Sequence, residues 1–381
     1  MNYQFSQLSS LLDELRERLN IAVIFGGERS KPGSVLYPTN IPRSGGPQEE
    51  AAANIAESLR RSGFQNVSVL PEDLSLGHQL REHQIHFAWI SSGGVQGANP
   101  TCHLPSLLEM LGVPYVGHGP LNTTVLDHKH TFKRELGSAG LPTAPYLTWD
   151  SIRGPFMPDI NSRFWLAFGA DSGAFVVKPV SGSAGPLRRL VQQHEDLPAA
   201  VAEVYDKTMG LVLIERFLPG REFVVSVCGP TVARSGQVAR NQGPFAFSAV
   251  ECVHGDGEAF FVPGQARGLD ENPLHPLDAD DELAEGLKSL AQRIYLDFNL
   301  DSLVRIDVRG DEEGRLHIME ANPQPDLGGP GRESDNRVCA GLGEHDMTYD
   351  DLVLSLLANR LDFLLTFRPK ALAHVESVRT S

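Results

Sequence analysis

The chain has 381 residues, enough for two or three domains with cores of their own, and its 41% hydrophobic content is that of an ordinary globule. With 33 Lys and Arg against 48 Asp and Glu the formal charge is -15, and no basic block interrupts it, which argues against a nucleic-acid partner. Apolar runs such as 21–25 fall far short of the ~20 residues of a membrane span, Met1–Gln7 lacks a signal-peptide pattern, and the four scattered cysteines form no disulfide or zinc framework; a cytoplasmic location with reduced thiols and no membrane partner is expected.

In chain order, Ile21–Phe25 running into Gly26 and Gly27 reads as a buried parallel strand entering a loop. Gln48–Ser62 reads as an amphipathic helix with Ala52, Ile55, Ala56 and Leu59 on one stripe and Gly63 beyond its end. Strand signals recur at Asn66–Leu70, His86–Ser92 and Pro114–Val116, with a helix at Leu104–Leu111, so the first part of the chain reads as a doubly wound α/β domain. The spacing of Val125, Phe132, Leu136 and Ala139 predicts one helix from an N-cap at Asn122 to Gly140, and a domain boundary falls just before it. Strands are expected at Ala174–Pro179, Leu211–Phe217 and Glu222–Cys228, with a helix near Pro198–Lys207. The last third shows alternation over Phe247–Val262, a helix from an Asp278 cap to Phe298, strands at Leu303–Val308 and Leu316–Glu320, and a helix over Tyr349–Phe363.

The densest chemistry lies in Arg305-Ile306-Asp307, followed across a turn by Glu320-Ala321-Asn322. Residues two apart share a strand face, so a hairpin gathers Arg305, Asp307, Glu320 and Asn322 on one side and Ile306, Val308, Met319 and Ala321 on the other. Such oxygen donors suit Mg²⁺, while a solvated hairpin face with a surface ion pair is the plainer alternative. Lys178 ends an apolar strand before Val180-Ser181-Gly182-Ser183-Ala184-Gly185, a loop that is either an anion nest or a simple turn. Glu215-Arg216-Phe217-Leu218, with Glu222 beyond, offers backbone hydrogen bonds for a purine edge and a carboxylate for ribose, or only a hairpin with two surface glutamates. Lys129 and Lys133 lie one helical turn apart, and a solvated face is expected for Lys133.

Taken in order, IAVIFGG (21–27), LPSLLEMLGVPYVG (104–117), LDHKHTFKRELGSAGLPTAP (126–145), VVKP (176–179), LIERFLPGREFVV (213–225) and RIDVRGDEEGRLHIMEANPQP (305–325) resemble the D-alanine:D-alanine ligase family of the ATP-grasp superfamily. The resemblance implies an α/β, three-subdomain ATP-grasp fold: an N-terminal doubly wound α/β substrate domain (1–120), a central subdomain (121–218) and a C-terminal subdomain with the metal site (219–381), the last two α+β modules enclosing ATP. It implies a ligase that forms a C–N bond through an acyl phosphate, releasing ADP and phosphate, with small amino-acid and carboxylate substrates and a homodimeric assembly. Residue by residue, Lys129 and Lys178 would contact the ATP phosphates, Glu215, Arg216, Phe217 and Leu218 would line adenine, and Glu222 would take the ribose. Ser183 would lie by the transferred phosphoryl group and Arg305 by the charge that develops on the tetrahedral oxygen. Asp307, Glu320 and Asn322 would hold two Mg²⁺ ions, with Mn²⁺ able to replace them.

The substrate side departs from the family pattern. The loop after the first strand, 28–48, is long, with Glu28 as a candidate substitute for the residue that grips the amine; Ser248–Val253 lacks the family's Lys-Tyr pair; and 325–334 carries Arg332, either a carboxylate partner or a surface arginine. These departures admit a ligase that joins an amino acid to a non-peptide acceptor, for example of mycosporine type, and a non-catalytic ATP-binding regulator is the remaining alternative. The retained carboxylates favour an enzyme. Cys252 reads as a small buried hydrophobe, and His128 and His130 as solvent-facing.

Overall fold

The structure, a computed structural model, describes residues 3–27, 34–40, 48–169, 173–182, 187–255, 258–260, 273–278, 280–329, 331 and 336–372. The N-terminal part contains α1 (Leu8–Arg16), β1 (Ile21–Gly26), α2 (Gln48–Arg61), β2 (Val67–Glu72), α3 (Leu76–Glu82), β3 (Phe87–Ser91), α4 (His103–Leu111) and β4 (Tyr115–Val116). Its strands form a parallel sheet in the order β2-β1-β3-β4. Helix α1 extends the sequence reading: Leu8, Leu11, Leu12 and Leu15 recur at helical spacing and are all buried. Strand β2 continues past the expected Leu70 through Pro71, which the sheet tolerates because β2 is an edge strand.

The single helix expected over 122–140 is two, α5 (Pro120–Asp127) and α6 (Lys129–Ser138). His128 between them is extended (φ −87°, ψ 91°), and the Lys129 amide donates to the Val180 carbonyl at 2.7 Å, so a tertiary contact takes the place of a helical one. The N-cap is Gly119, with Pro120 at the first helical position, rather than Asn122, whose side chain donates instead to the Asn299 carbonyl. There follow β5 (Tyr146–Trp149), α7 (Ser162–Phe168), β6 (Phe175–Pro179), β7 (Arg189–Val191), α8 (Leu197–Thr208) and β8 (Val212–Arg216). The four strands make an antiparallel sheet, β5-β8-β6-β7, whose core, among the described residues, runs from Leu147 to Ile214.

The C-terminal part contains β9 (Glu222–Cys228), β10 (Thr231–Arg234), β11 (Gln237–Arg240), β12 (Phe245–Cys252), β13 (Leu274–Pro276), α9 (Glu282–Asp297), β14 (Val304–Gly310), β15 (Leu316–Asn322) and α10 (Tyr349–Phe367). Five of its strands form an antiparallel sheet, β13-β12-β9-β14-β15, and β10-β11 is a separate hairpin. Helix α9 starts a turn later than expected because Asp281, not Asp278, caps it, accepting from the Leu283 amide at 2.8 Å. Leu126, Phe132 and Leu136 of α5 and α6 share a core with β9, β14 and α9. Helix α10 shares another with the N-terminal sheet and with Cys228, Val232 and Phe247. Among the described residues no helix is long and apolar enough to cross a membrane.

Candidate active site

In the β14–β15 hairpin Arg305 faces Asn322 and Asp307 faces Glu320. The register then shifts between Asp307 and Val308, which pairs with Ile318 and leaves Met319 as the extra residue of a bulge. Ile306, Val308 and Ala321 enter the core as expected, but the bulge hands Met319's place there to Ile318, and Met319 lines the cleft instead. The polar face is not a solvated one. Arg305 is 5% exposed and grips Asp307 with both ends of its fork, at 2.7 and 3.0 Å, while Arg337 approaches the same carboxylate at 3.4 Å. Burial works against the Arg305 charge, but Asp307 outweighs it and holds its pKa above the ordinary value.

Lys129 and Lys178 each lie 3.7 Å from Glu320. Burial would raise the Glu320 pKa, but the two lysines, with Arg305, drive it well below the usual carboxylate range. Behind this group Glu215, 1% exposed, bridges Lys178 at 2.5 Å and Lys133 at 3.1 Å. Lys133 is therefore a buried residue, not a solvated one, because Glu215 of β8 and the Thr143 hydroxyl at 2.7 Å await it inside. Burial lowers its pKa; in Lys178 the pull of Glu215 and Glu320 exceeds the burial penalty, and Glu215 is kept ionised by both lysines. Glu215 is thus not a surface glutamate either, and its carboxylate is committed to lysines.

The Lys129 ammonium also donates to the Gly182 carbonyl at 2.7 Å, and the Gly182 amide points to Asp127 at 3.3 Å. Gly182 takes φ +76° there, a left-handed conformation that suits glycine. The loop after Lys178 is thereby anchored to the α5–α6 junction. Arg216 turns away from Glu215: its guanidinium donates to the Phe168 carbonyl and lies over Phe175. Phe217, Leu218 and Glu222, with Arg216 itself, line a cleft shared with Lys178, Glu215, Asp307 and Glu320. Glu222 is held by His254 and Arg309, and these keep it ionised against the cost of burial. Glu28, Ser183 and Arg332 lie outside the described residues.

Several residues of this cleft escaped the sequence reading. Arg309 was the legible one, since 305, 307 and 309 alternate onto one face. Arg188 and Phe260, packed with the guanidinium 3.9 Å from the ring centre, and Arg337 come from loops with no periodicity to announce them. His128 and His130 are half-buried rather than solvent-facing, because the break at His128 lets its Nε2 donate to the Asn99 Oδ1 at 2.8 Å, and burial pushes His130 down to about 4. Cys252 is buried, and desolvation raises its thiol to about 12, in keeping with a small core residue.

Asp307, Glu320 and Asn322 offer hard oxygen donors that suit a divalent cation: Glu320 sits beyond hydrogen-bonding reach of its lysines, and the Asn322 oxygen accepts only one amide, from Gln324. Among the described residues no three His, Cys, Asp or Glu side chains cluster as a metal site, so the amide is needed as third donor.

Two antiparallel sheets closing on a cleft of cations and carboxylates, with a doubly wound domain ahead of them, define an ATP-grasp protein. Residues 136–358 match the profile of the D-ala D-ala ligase C-terminus, and the chain belongs to that family. It is 28% identical over 313 residues to a D-alanine--D-alanine ligase of a Synechococcus strain, covering 81% of this chain and 84% of that one, and 28% identical over 285 residues to one of Gloeobacter violaceus, covering 74% and 85%. In three dimensions it resembles D-alanyl-alanine synthetase A of Vibrio cholerae (TM-score 0.66, 18% identity, 91% of this chain and 99% of that one). It also resembles a D-alanine--D-alanine ligase of Bacillus anthracis complexed with ATP (TM-score 0.63, 18% identity, 90% and 98%).

Proposed function

We propose that the protein is an ATP-dependent carboxylate–amine ligase of the D-alanine:D-alanine ligase type, working from three parts, 1–120, 121–218 and 219–381. The observation that carries this reading is the convergence of Lys129 and Lys178 on Glu320, directly across the hairpin from Asp307. In the reaction a substrate carboxylate oxygen attacks the γ-phosphorus of ATP as the bond to ADP breaks. The amine of the second substrate then attacks the acyl carbon, a C–N bond forms, phosphate leaves and the amine gives up a proton.

Lys129 and Lys178 bind and orient the phosphates, and Glu215, whose second partner is Lys133, keeps the Lys178 ammonium charged and in place. Phe217 and Leu218 supply the wall and backbone for the base. Asp307, Glu320 and Asn322 would hold Mg²⁺, which when bound screens the charge of the transferring phosphoryl group. Arg305, already buried, presents a fixed donor to the tetrahedral oxygen, a contribution typically worth ~10²- to 10³-fold in rate. Ser183 would stand near the phosphoryl group, and Glu28 and Arg332 near the amino-acid substrates.

ADP release with Mg²⁺ and ATP, for D-alanine alone and for a panel of L- and D-amino acids with acid acceptors, tests the reading. D-alanyl-D-alanine with stoichiometric ADP is expected, and absence of ADP with every pair overturns it. A second outcome, an adduct of another pair, has an observation of its own in its favour: Arg337 reaches Asp307 from the segment beyond the hairpin and adds a cation beside Arg305.

A further inference from the structure

In the β14–β9 register Arg309 stands directly opposite Glu222. Its guanidinium reaches the Glu222 Oε2 at 3.3 Å, and the His254 ring nitrogen Nε2 reaches the same oxygen at 3.0 Å from the segment after β12. Both partners use Oε2, and no described residue donates to Oε1. Arg309 is itself immobilised: it is 5% exposed, donates to the Ala259 carbonyl at 2.8 Å, and lies over the rings of Phe217 and Phe260 at 4.9 and 5.5 Å. Its Nε is buried with no acceptor, so the side chain is held by the clamp rather than by a full set of hydrogen bonds of its own. A carboxylate can only accept, and this one, on the cleft with one oxygen engaged from two sides, has its second oxygen fixed in direction and left for a ligand's donor.

We propose that Arg309 and His254 are positioning residues that aim the Oε1 of Glu222 at a ribose hydroxyl, and that this clamp sets the preference for a ribonucleotide over its deoxy analogues. The proposal rests on the ATP-binding reading above and deepens it. A deoxy sugar leaves a desolvated carboxylate oxygen without its donor, and a hydrogen bond to a charged group lost in this way costs about 10- to 100-fold in affinity.

The test is direct calorimetric binding of ATP, 2′-deoxy-ATP and 3′-deoxy-ATP to the full chain, in the wild type and in Arg309→Met, His254→Ala and His254→Gln, each with a thermal melt. The wild type is expected to favour ATP over at least one deoxy analogue by about 10-fold or more. Arg309→Met and His254→Ala bring that ratio near one, chiefly by weakening ATP, and His254→Gln, whose amide can still donate to Oε2, restores it. A merely structural role moves all three nucleotides together. Folded variants that keep the wild-type ratio overturn the clamp, and should Arg309→Met not fold, the His254 pair decides alone. A wild type that binds ATP and both deoxy forms equally also overturns the clamp while the ligase reading stands; one that binds no adenine nucleotide overturns the ligase reading itself.

Discussion

Single side chains divide sharply here between those whose loss costs chemistry and those whose loss costs the fold. Glu320 is the cleaner probe of the former. Its neighbours Lys129 and Lys178 keep the Gly182 carbonyl and Glu215 as partners, so Glu320→Gln should lower turnover by about 100-fold or more while the urea midpoint stays nearly unchanged. Asp307→Asn is a different case, because the buried Arg305 would lose both halves of its fork; a stability cost of about 3–5 kcal/mol should accompany its loss of activity, read from the same two measurements. Lys133→Met should likewise cost about 3–5 kcal/mol in urea unfolding, since Glu215 keeps its charge and loses one of its two counter-charges. Sequence alone assigns Lys133 to solvent because the partner that buries it lies on another sheet, whereas Asp307 and Glu320 share a hairpin whose turn and alternation are local and readable.

Among the elements, those with strict periodicity were legible and those decided by tertiary contact were not. Strand β9 has the bounds its apolar run predicts, Glu222–Cys228, and the terminal helix begins at Tyr349 as read. The break between α5 and α6 depends on the Val180 carbonyl, and the Met319 bulge on pairing with β14, neither of which has a local signature. Helix α10 runs on to Phe367, and its start at Tyr349 is set by a reciprocal cap: Thr348 accepts from the Asp351 amide and Asp351 accepts from the Thr348 amide. Thr348→Ala should therefore cost about 1 kcal/mol, visible as a lower urea midpoint with unchanged slope. The same helix supplies Ser355, Asn359 and Asp362 to backbone or hydroxyl groups of β10, so fraying at its start is transmitted to that hairpin.

For the whole molecule, charge and protonation set the working range. A chain of net charge -15 nevertheless gathers Lys129, Lys133, Lys178, Arg188, Arg305, Arg309 and Arg337 around four carboxylates, Glu215, Glu222, Asp307 and Glu320, a local cationic excess that suits a polyanionic ligand. Acid should weaken the fold before its carboxylates titrate. His345, by burial and then by Lys288 and Arg234, and His130, by burial and then by His128 and Arg134, are both pushed down to about 4. In the unfolded chain each takes a proton near pH 6.5, so between about 6.5 and 4 the unfolded state binds protons the native state refuses, and stability falls as pH falls. Urea midpoints at pH 7 and pH 5 should show this decline, and His345→Gln should make it shallower.

Helix α10 is packed into one core with the N-terminal sheet and with Cys228, Val232 and Phe247, while α5 and α6 are packed onto the C-terminal sheet, so the N-terminal and C-terminal parts are joined through shared cores. Among the described residues the sheet spanning Leu147 to Ile214 keeps its core to itself, as does one face of the N-terminal sheet. The cleft lies along the seam between the β5-β8-β6-β7 sheet and the C-terminal one. The carboxylates of β14 and β15 stand on one side of that seam and Lys178 on the other, and the Lys133–Glu215 pair is one of several ties across it, beside the bonds from Lys129 to the Val180 and Gly182 carbonyls.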